Sequence, residues 1–216
     1  MSKKIFWFIG ILAICIIGII VLKDVQKEET AGNIDYEGQP FVGEETAPVD
    51  IVEFGDYKCP HCKEFNDSIL PMIDEQLVET GKAKFYFINY SFISADSTTS
   101  AQFAETVFQE LGNEKFWDFH HLLFEKQTNE SGELNTLSDE FLEDVLTEVA
   151  SPEEAEKVMN AYNKGKGQAA LKKDLGIANS LGITSTPTIY INGERFDGKS
   201  MEDLFTMVEE AAAGGK

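Results

Sequence analysis

The chain has 216 residues, 43% hydrophobic and 11% aromatic, enough to bury the core of one ordinary domain and too apolar for global disorder. It is strongly acidic, with 38 Asp and Glu against 18 Lys and Arg and a net charge of -20. Every acid and all but three of the basic residues (Lys3, Lys4, Lys23) lie beyond residue 23, and Arg195 is the only arginine, which excludes a nucleic-acid partner, since phosphate binding draws on clustered Lys and Arg.

Residues 5–22 (IFWFIGILAICIIGIIVL) are an uncharged apolar run. As a helix the run would span about 27 Å, close to the thickness of a bilayer core. Lys3 and Lys4 precede it, so the positive-inside bias leaves the amino terminus in the cytoplasm and exports the rest. A cleavable signal would want a shorter apolar stretch and an A-x-A-like site, and neither is present near residue 22. Cys15 follows the bulky Ile14, which does not suit a lipoprotein cleavage box, so Cys15 reads as a small apolar residue in lipid. The expectation is one uncleaved transmembrane helix over residues 1–23, held in the cell membrane by the bilayer contact of residues 5–22. A polar stalk over 24–33 and an extracytoplasmic domain over 34–216 follow it.

Outside the anchor only Cys59 and Cys62 remain, in an oxidising compartment. Cysteines two residues apart close too small a loop to stabilise a fold through chain entropy, so the pair is expected to serve chemistry. Val49 to Phe54 (VDIVEF) reads as a buried strand, bounded by Ala47-Pro48 and Gly55. After Cys59-Pro60-His61-Cys62 a helix is predicted to about Thr80, with Phe65, Ile69, Ile73 and Leu77 on one apolar face and a kink at Pro71. Gly81 ends it, and Lys84 to Ile93 (KFYFINYSFI) reads as a second strand.

Residues 97 to about 181 look helical almost throughout. Ala101, Ala104, Phe108 and Leu111 share one face, closed by Gly112-Asn113; Phe116, Trp117, His120, Leu123 and Phe124 form a second stripe. Ser138 opens a third helix with Phe141, Leu142, Val145, Leu146 and Val149 inside. Ser151-Pro152-Glu153-Glu154 is a strong start signal, with Ser at the N-cap, Pro in the first turn and Glu at N3. Leu181-Gly182 marks the last stop. Thr186 to Ile191 (TPTIYI) is a strand, Asn192-Gly193 a tight hairpin turn, Glu194 to Phe196 its return, and Ser200 caps a final helix with Asp203. No internal repeat is visible.

Cys59 and Cys62 at i and i+3 share a helical face, so a disulfide can close across the first turn. Cys59 at the helix start meets unpaired N–H groups and the positive end of the dipole; Pro60 costs nothing there, and His61 adds a donor. Each lowers the Cys59 pKa and so favours the reduced, thiolate form. Glu53, six residues upstream on the buried strand, is a candidate proton exchanger for Cys62. Thr186-Pro187-Thr188 is a candidate cis bond that leaves the Thr186 backbone free to pair with an extended peptide.

A zinc site built from Cys59, Cys62, His120 and His121 is disfavoured, because adjacent helical residues point about 100° apart and the usual H-x₃₋₅-H spacing is missing. Acidic surface residues suit Ca²⁺ chemistry, but without EF-hand spacing no ligands are assigned. No cofactor beyond the cysteine pair is expected.

The element order (strand, redox helix, strand, helical block, paired strands, helix) fits a thioredoxin-like α/β fold with an inserted helical domain over about 97–181. The stretches V-E-F-G-D-Y-K-C-P-H-C, F-W-D-F-H and L-G-I-T-S-T-P-T-I-Y-I-N-G together resemble the DsbA family, above all its membrane-attached Gram-positive members of the BdbD type. The resemblance covers about residues 34 to 212. It implies oxidation of reduced, unfolded exported proteins and reoxidation by a quinone-linked membrane partner of the DsbB/BdbC type. Carried over by motif, Cys59 is the attacking and attacked sulfur, Cys62 resolves, Glu53 is the buried acid and Thr186-Pro187 the substrate-side loop. A reductase or isomerase of the same fold, or a redox-inert binding module, are the alternatives. An isomerase would dimerise; with no dimerisation segment visible, a monomer is expected.

Overall fold

A computed structural model describes residues 34–127 and 136–214. The predicted anchor and stalk fall outside the described residues, among which no helix is long and apolar enough to cross a membrane. Five strands form one sheet: β1 (Phe41–Val42), β2 (Val49–Gly55), β3 (Ala83–Asn89), β4 (Thr188–Ile191) and β5 (Glu194–Arg195), in the order β1-β3-β2-β4-β5. β2 and β3 run parallel; the other neighbours are antiparallel.

Because strand side chains alternate, β2 divides its residues between two cores. Val52 and Phe54 face a smaller cluster with Tyr86, Ile88, Ile183 and Tyr190. Val49 and Ile51 face the larger one, which holds Phe85, Phe87, Ile189, both cysteines and most of the helical block. Glu53 shares the parity of Ile51, in register with Phe87 on β3 and Ile189 on β4, so its carboxyl enters the larger core.

The redox helix α1 runs through residues 60–78. It is α-helical over Pro60–Glu64 and Leu70–Ile73, and widened to π turns over Phe65–Ile69 and Asp74–Val78. The first widening abuts Pro71: with no N–H at residue 71, the ladder shifts so that Leu70 N–H bonds Phe65 O five residues back. The predicted irregularity is therefore present as a change of helical pitch.

The inserted block comprises α2 (Ala95–Lys126), α3 (Asp139–Val149), α4 (Pro152–Tyr162) and α5 (Gln168–Ser180), and α6 (Met201–Gly214) is the last element among the described residues. The predicted caps are in place. Ser151 and Glu154 exchange both hydrogen bonds of a capping box, Ser138 accepts from Phe141 N–H, and Ser200 accepts from Asp203 N–H. Asn192 and Gly193 both take positive φ, as a two-residue hairpin turn demands. Gly167 opens α5 against α2 so closely that a Cβ there would stand 2.0 Å from Gln102 O, which only glycine allows.

One expectation needs correction, and one strand was not foreseen. The strand expected to reach Ile93 ends at Asn89, because the N–H groups of Phe92 and Ile93 turn to the Asp56 carboxylate, at 3.0 and 3.2 Å. Gly112 does close its helix as expected: its φ of 83 is non-helical, so α2 is two helical segments meeting at a kink there, and Asn113 accepts the Phe41 N–H from β1. β1 itself carries too short an apolar run to stand out by periodicity.

Candidate redox site

β2 ends in a tight turn, Gly55-Asp56-Tyr57-Lys58, that delivers Cys59 as the N-cap of α1 with extended backbone angles and Pro60 in the first turn. The Asp56 side chain accepts Lys58 N–H at 2.9 Å, and its carbonyl accepts Cys59 N–H at 2.9 Å. This Asx-turn fixes where the helix begins. Cys59 and Cys62 are both buried free thiols, so the structure holds the dithiol state.

The two sulfurs differ sharply. The Cys59 pKa is lowered to about 5, first by a hydrogen bond from the Cys62 thiol, then by the Thr186 side chain and the N–H groups of Cys62 and His61, all working against burial. Burial pushes the Cys62 thiol far up, and its bond to Cys59 and the nearby Glu53 carboxyl push the same way. The thiolate form is therefore favoured at Cys59 and the thiol form at Cys62.

Thr186 and Pro187, joined by a cis peptide bond, stand opposite. The Thr186 carbonyl lies 3.4 Å from Cys59 Sγ. Its buried hydroxyl has no ordinary hydrogen-bond partner and is left to serve the sulfur. Glu53 is fully buried, and burial raises its pKa well above 4.5, with the Cys62 thiol partly offsetting the rise. Neither of its oxygens has a well-formed hydrogen bond, so the Cys62 thiol is a close neighbour in poor alignment.

His61 differs from expectation. Its imidazole is 76% exposed and lies 3.6 Å from the Glu64 carboxylate. The donor that residue 61 gives Cys59 is its backbone N–H. The reason is geometric: at the second helical position the peptide N–H lines the N-cap, while the side chain projects to solvent.

Of the two histidines, His120 is wholly buried, with Nδ1 3.0 Å from the Tyr57 hydroxyl, and His121 is half-buried, bonded to Asn66 at 2.7 Å. Among the described residues no group of three or more His, Cys, Asp or Glu suits a metal ion.

Reading the sequence for chemistry passed over the polar groups that seat the turn. Asp56 could have been found, since an Asp in the turn three residues before a helix N-cap is a signal for an Asx-turn. Lys63 donates to the carbonyls of Phe124 and Glu125 at the end of α2, at 2.5 and 2.8 Å, and Lys58 reaches Thr136 Oγ1 at 2.6 Å. Gln127 donates to the carbonyls of Tyr57 and Cys59. No local signal marks these three.

A thioredoxin family model spans residues 35–210. Disulfide bond formation protein D of Bacillus subtilis is 36% identical over 169 residues, 77% of this chain and 73% of that one. The crystal structure of oxidised BdbD from the same organism matches with a TM-score of 0.79 at 33% identity, over 86% of this chain and 98% of that one. The thiol-disulfide exchange protein α-DsbA2 from Wolbachia pipientis matches with a TM-score of 0.66 at 26% identity, over 89% and 96%.

Proposed function

This chain belongs to the DsbA family of disulfide-forming thiol–disulfide oxidoreductases and resembles its BdbD type, and on that premise we propose that it donates a Cys59–Cys62 disulfide to reduced, unfolded exported proteins. The observation that carries this reading is the asymmetry of the sulfurs: Cys59 is lowered to about 5, and the Cys62 thiol is pushed up.

In the donating half-reaction a client thiolate attacks Cys59 Sγ of the disulfide. A client–Cys59 bond forms, the Cys59–Cys62 bond breaks, and Cys62 leaves as a thiolate. Glu53, protonated because it is buried, gives that thiolate its proton. A second client thiolate then attacks the client sulfur, closes the client disulfide and expels Cys59 as its stabilised thiolate. The client loses two electrons, and the dithiol described above is the product. The Thr186 loop, beside Cys59 Sγ, supplies the backbone against which an extended client segment pairs.

Stabilising the Cys59 thiolate stabilises the reduced protein, so its disulfide becomes the stronger oxidant. A pKa of about 5 lies about two units below neutral pH, worth about 60 mV at about 30 mV per unit. Equilibration with glutathione buffers tests the reading, with a potential near the oxidising end of the thioredoxin-fold range expected. A value near that of thioredoxin, about -270 mV, would make the chain a reductase.

Regeneration of the disulfide is assigned to a quinone-linked membrane protein of the BdbC/DsbB type. Membrane attachment through residues 5–22, with the domain outside the cell membrane, brings the two together. Protease added to spheroplasts is expected to remove the domain, and a soluble mature form starting after residue 22 would overturn the attachment.

A further inference from the structure

The Tyr57–Cys59 turn is gripped from the inserted helical block. His120 lies in the last two turns of α2, and Gln127, seven residues on, is the C-cap residue just past its end. His120 Nδ1 is 3.0 Å from the Tyr57 hydroxyl. The ring is packed among Phe87, Phe116, Trp117 and Phe124 and has no room to turn away. Gln127, 5% exposed, sends one amide group to two carbonyls, those of Tyr57 and of Cys59, the latter at 3.4 Å. The Cys59 carbonyl also accepts Lys63 N–H at 3.2 Å, so Gln127 uses the remaining lone pair of the N-cap carbonyl.

We propose that Gln127 is a positioning residue for disulfide exchange: its carboxamide, delivered by the insertion, pins the Tyr57 and Cys59 carbonyls and so aims the first N–H groups of α1 at Cys59 Sγ. The N–H groups of His61 and Cys62 reach the sulfur only while the Cys59 peptide keeps its orientation, and nothing within CPHC fixes that orientation from the insertion side. The inference rests on Cys59 being the exchanging sulfur.

The test compares the full chain with Gln127→Leu, which keeps the bulk and removes the donor, and Gln127→Glu, which restores a donor only when protonated. Thiolate absorbance against pH and the glutathione equilibrium are read on each. Gln127→Leu is expected to raise the Cys59 pKa by about 0.5–1 unit, the worth of one neutral hydrogen bond. The disulfide becomes less oxidising by the linked 15–30 mV, at about 30 mV per unit. Gln127→Glu is expected to match wild type below the carboxyl's own pKa and to exchange more slowly than Gln127→Leu above it, as carboxylate meets carbonyl. A structural role alone would lower the melting temperature of oxidised and reduced proteins equally and leave pKa and potential in place. That outcome, or a Gln127→Glu profile without a pH step, overturns the proposal. A wild-type Cys59 that does not titrate well below 9 would instead remove the underlying reading, whatever the variants do.

Discussion

Glu53 and the Glu105–Asp174 pair are all buried at 0–1% exposure, and the fold treats them oppositely. Asp174 accepts from the Gln39 amide at 2.7 Å and from Asn89 N–H at 3.1 Å, while Glu105 accepts from the Asn89 amide at 2.9 Å. Burial raises the Glu105 pKa well above 4.5, with the neighbouring Asp174 pushing the same way, and burial lifts Asp174 to about 6. These groups join the segment before β1, the end of β3, α2 and α5, so they bolt the insertion to the sheet. Glu53 sits mid-strand on β2 with both oxygens unsatisfied beside Cys62. A wired buried carboxyl adds specificity to the fold; an unwired one costs stability, and under the proposed mechanism its place beside Cys62 accounts for its presence.

The largest expected effect breaks the wired side. Asp174→Ala orphans the Gln39 amide and Asn89 N–H, and at about 1–3 kcal/mol for each buried group it should cost about 2–6 kcal/mol in urea unfolding. The folded fraction should keep its wild-type glutathione potential. A loss under 1 kcal/mol would mean that the cluster bolts nothing.

The unwired side should respond in rate. Glu53→Gln is expected to slow proton-dependent exchange at Cys62 by about 100-fold while leaving the Cys59 titration in place. The stability consequence has a definite sign. Burial raises the Glu53 pKa, so the folded state binds its proton more tightly than the unfolded chain. Wild-type stability should therefore fall as pH rises above 4.5 toward the elevated folded value, and Glu53→Gln should remove that fall. Urea melts of both reduced proteins between pH 4.5 and 8 check it: parallel curves would place the Glu53 carboxyl in water.

Gly55 probes how rigid the unwired pocket is. A Cβ there would lie 2.3 Å from the Phe87 ring and 3.2 Å from Glu53 Oε1. Gly55→Ala should therefore cost about 1–3 kcal/mol and disturb the Glu53 pocket together with Phe87. A neutral substitution would show that the pocket yields.

The smallest effect belongs to the exposed histidine. His61→Ser keeps the backbone donor and removes only an outward imidazole near the positive end of the helix. At about 0.3–1 kcal/mol for a helix-end charge, the Cys59 pKa should rise by about 0.2–0.7 unit and the potential should fall by about 6–20 mV. Salt should erode the difference, because the group is solvated. A shift of two units would put the imidazole on the sulfur after all.

The sequence by itself determined what neighbours within about four residues decide. The buried strand ahead of CPHC, the helix begun at Cys59, the Ser151–Glu154 box and the Asn192-Gly193 turn all follow from periodicity, capping and φ preference. The cysteine pair was legible as chemistry for the same reason, since its spacing and its place at a helix start are local. Tertiary structure alone decided where β3 stops and that the His61 imidazole lies in solvent beside Glu64. It also decided that Glu53 is left without hydrogen bonds while Asp174 is given them by residues as distant as Gln39, 135 positions away. The physical reason is that a polar side chain finds its partner through the packed fold. Gln127 meets Cys59 across 68 residues only because α2 is docked on the sheet, and no local pattern encodes that contact.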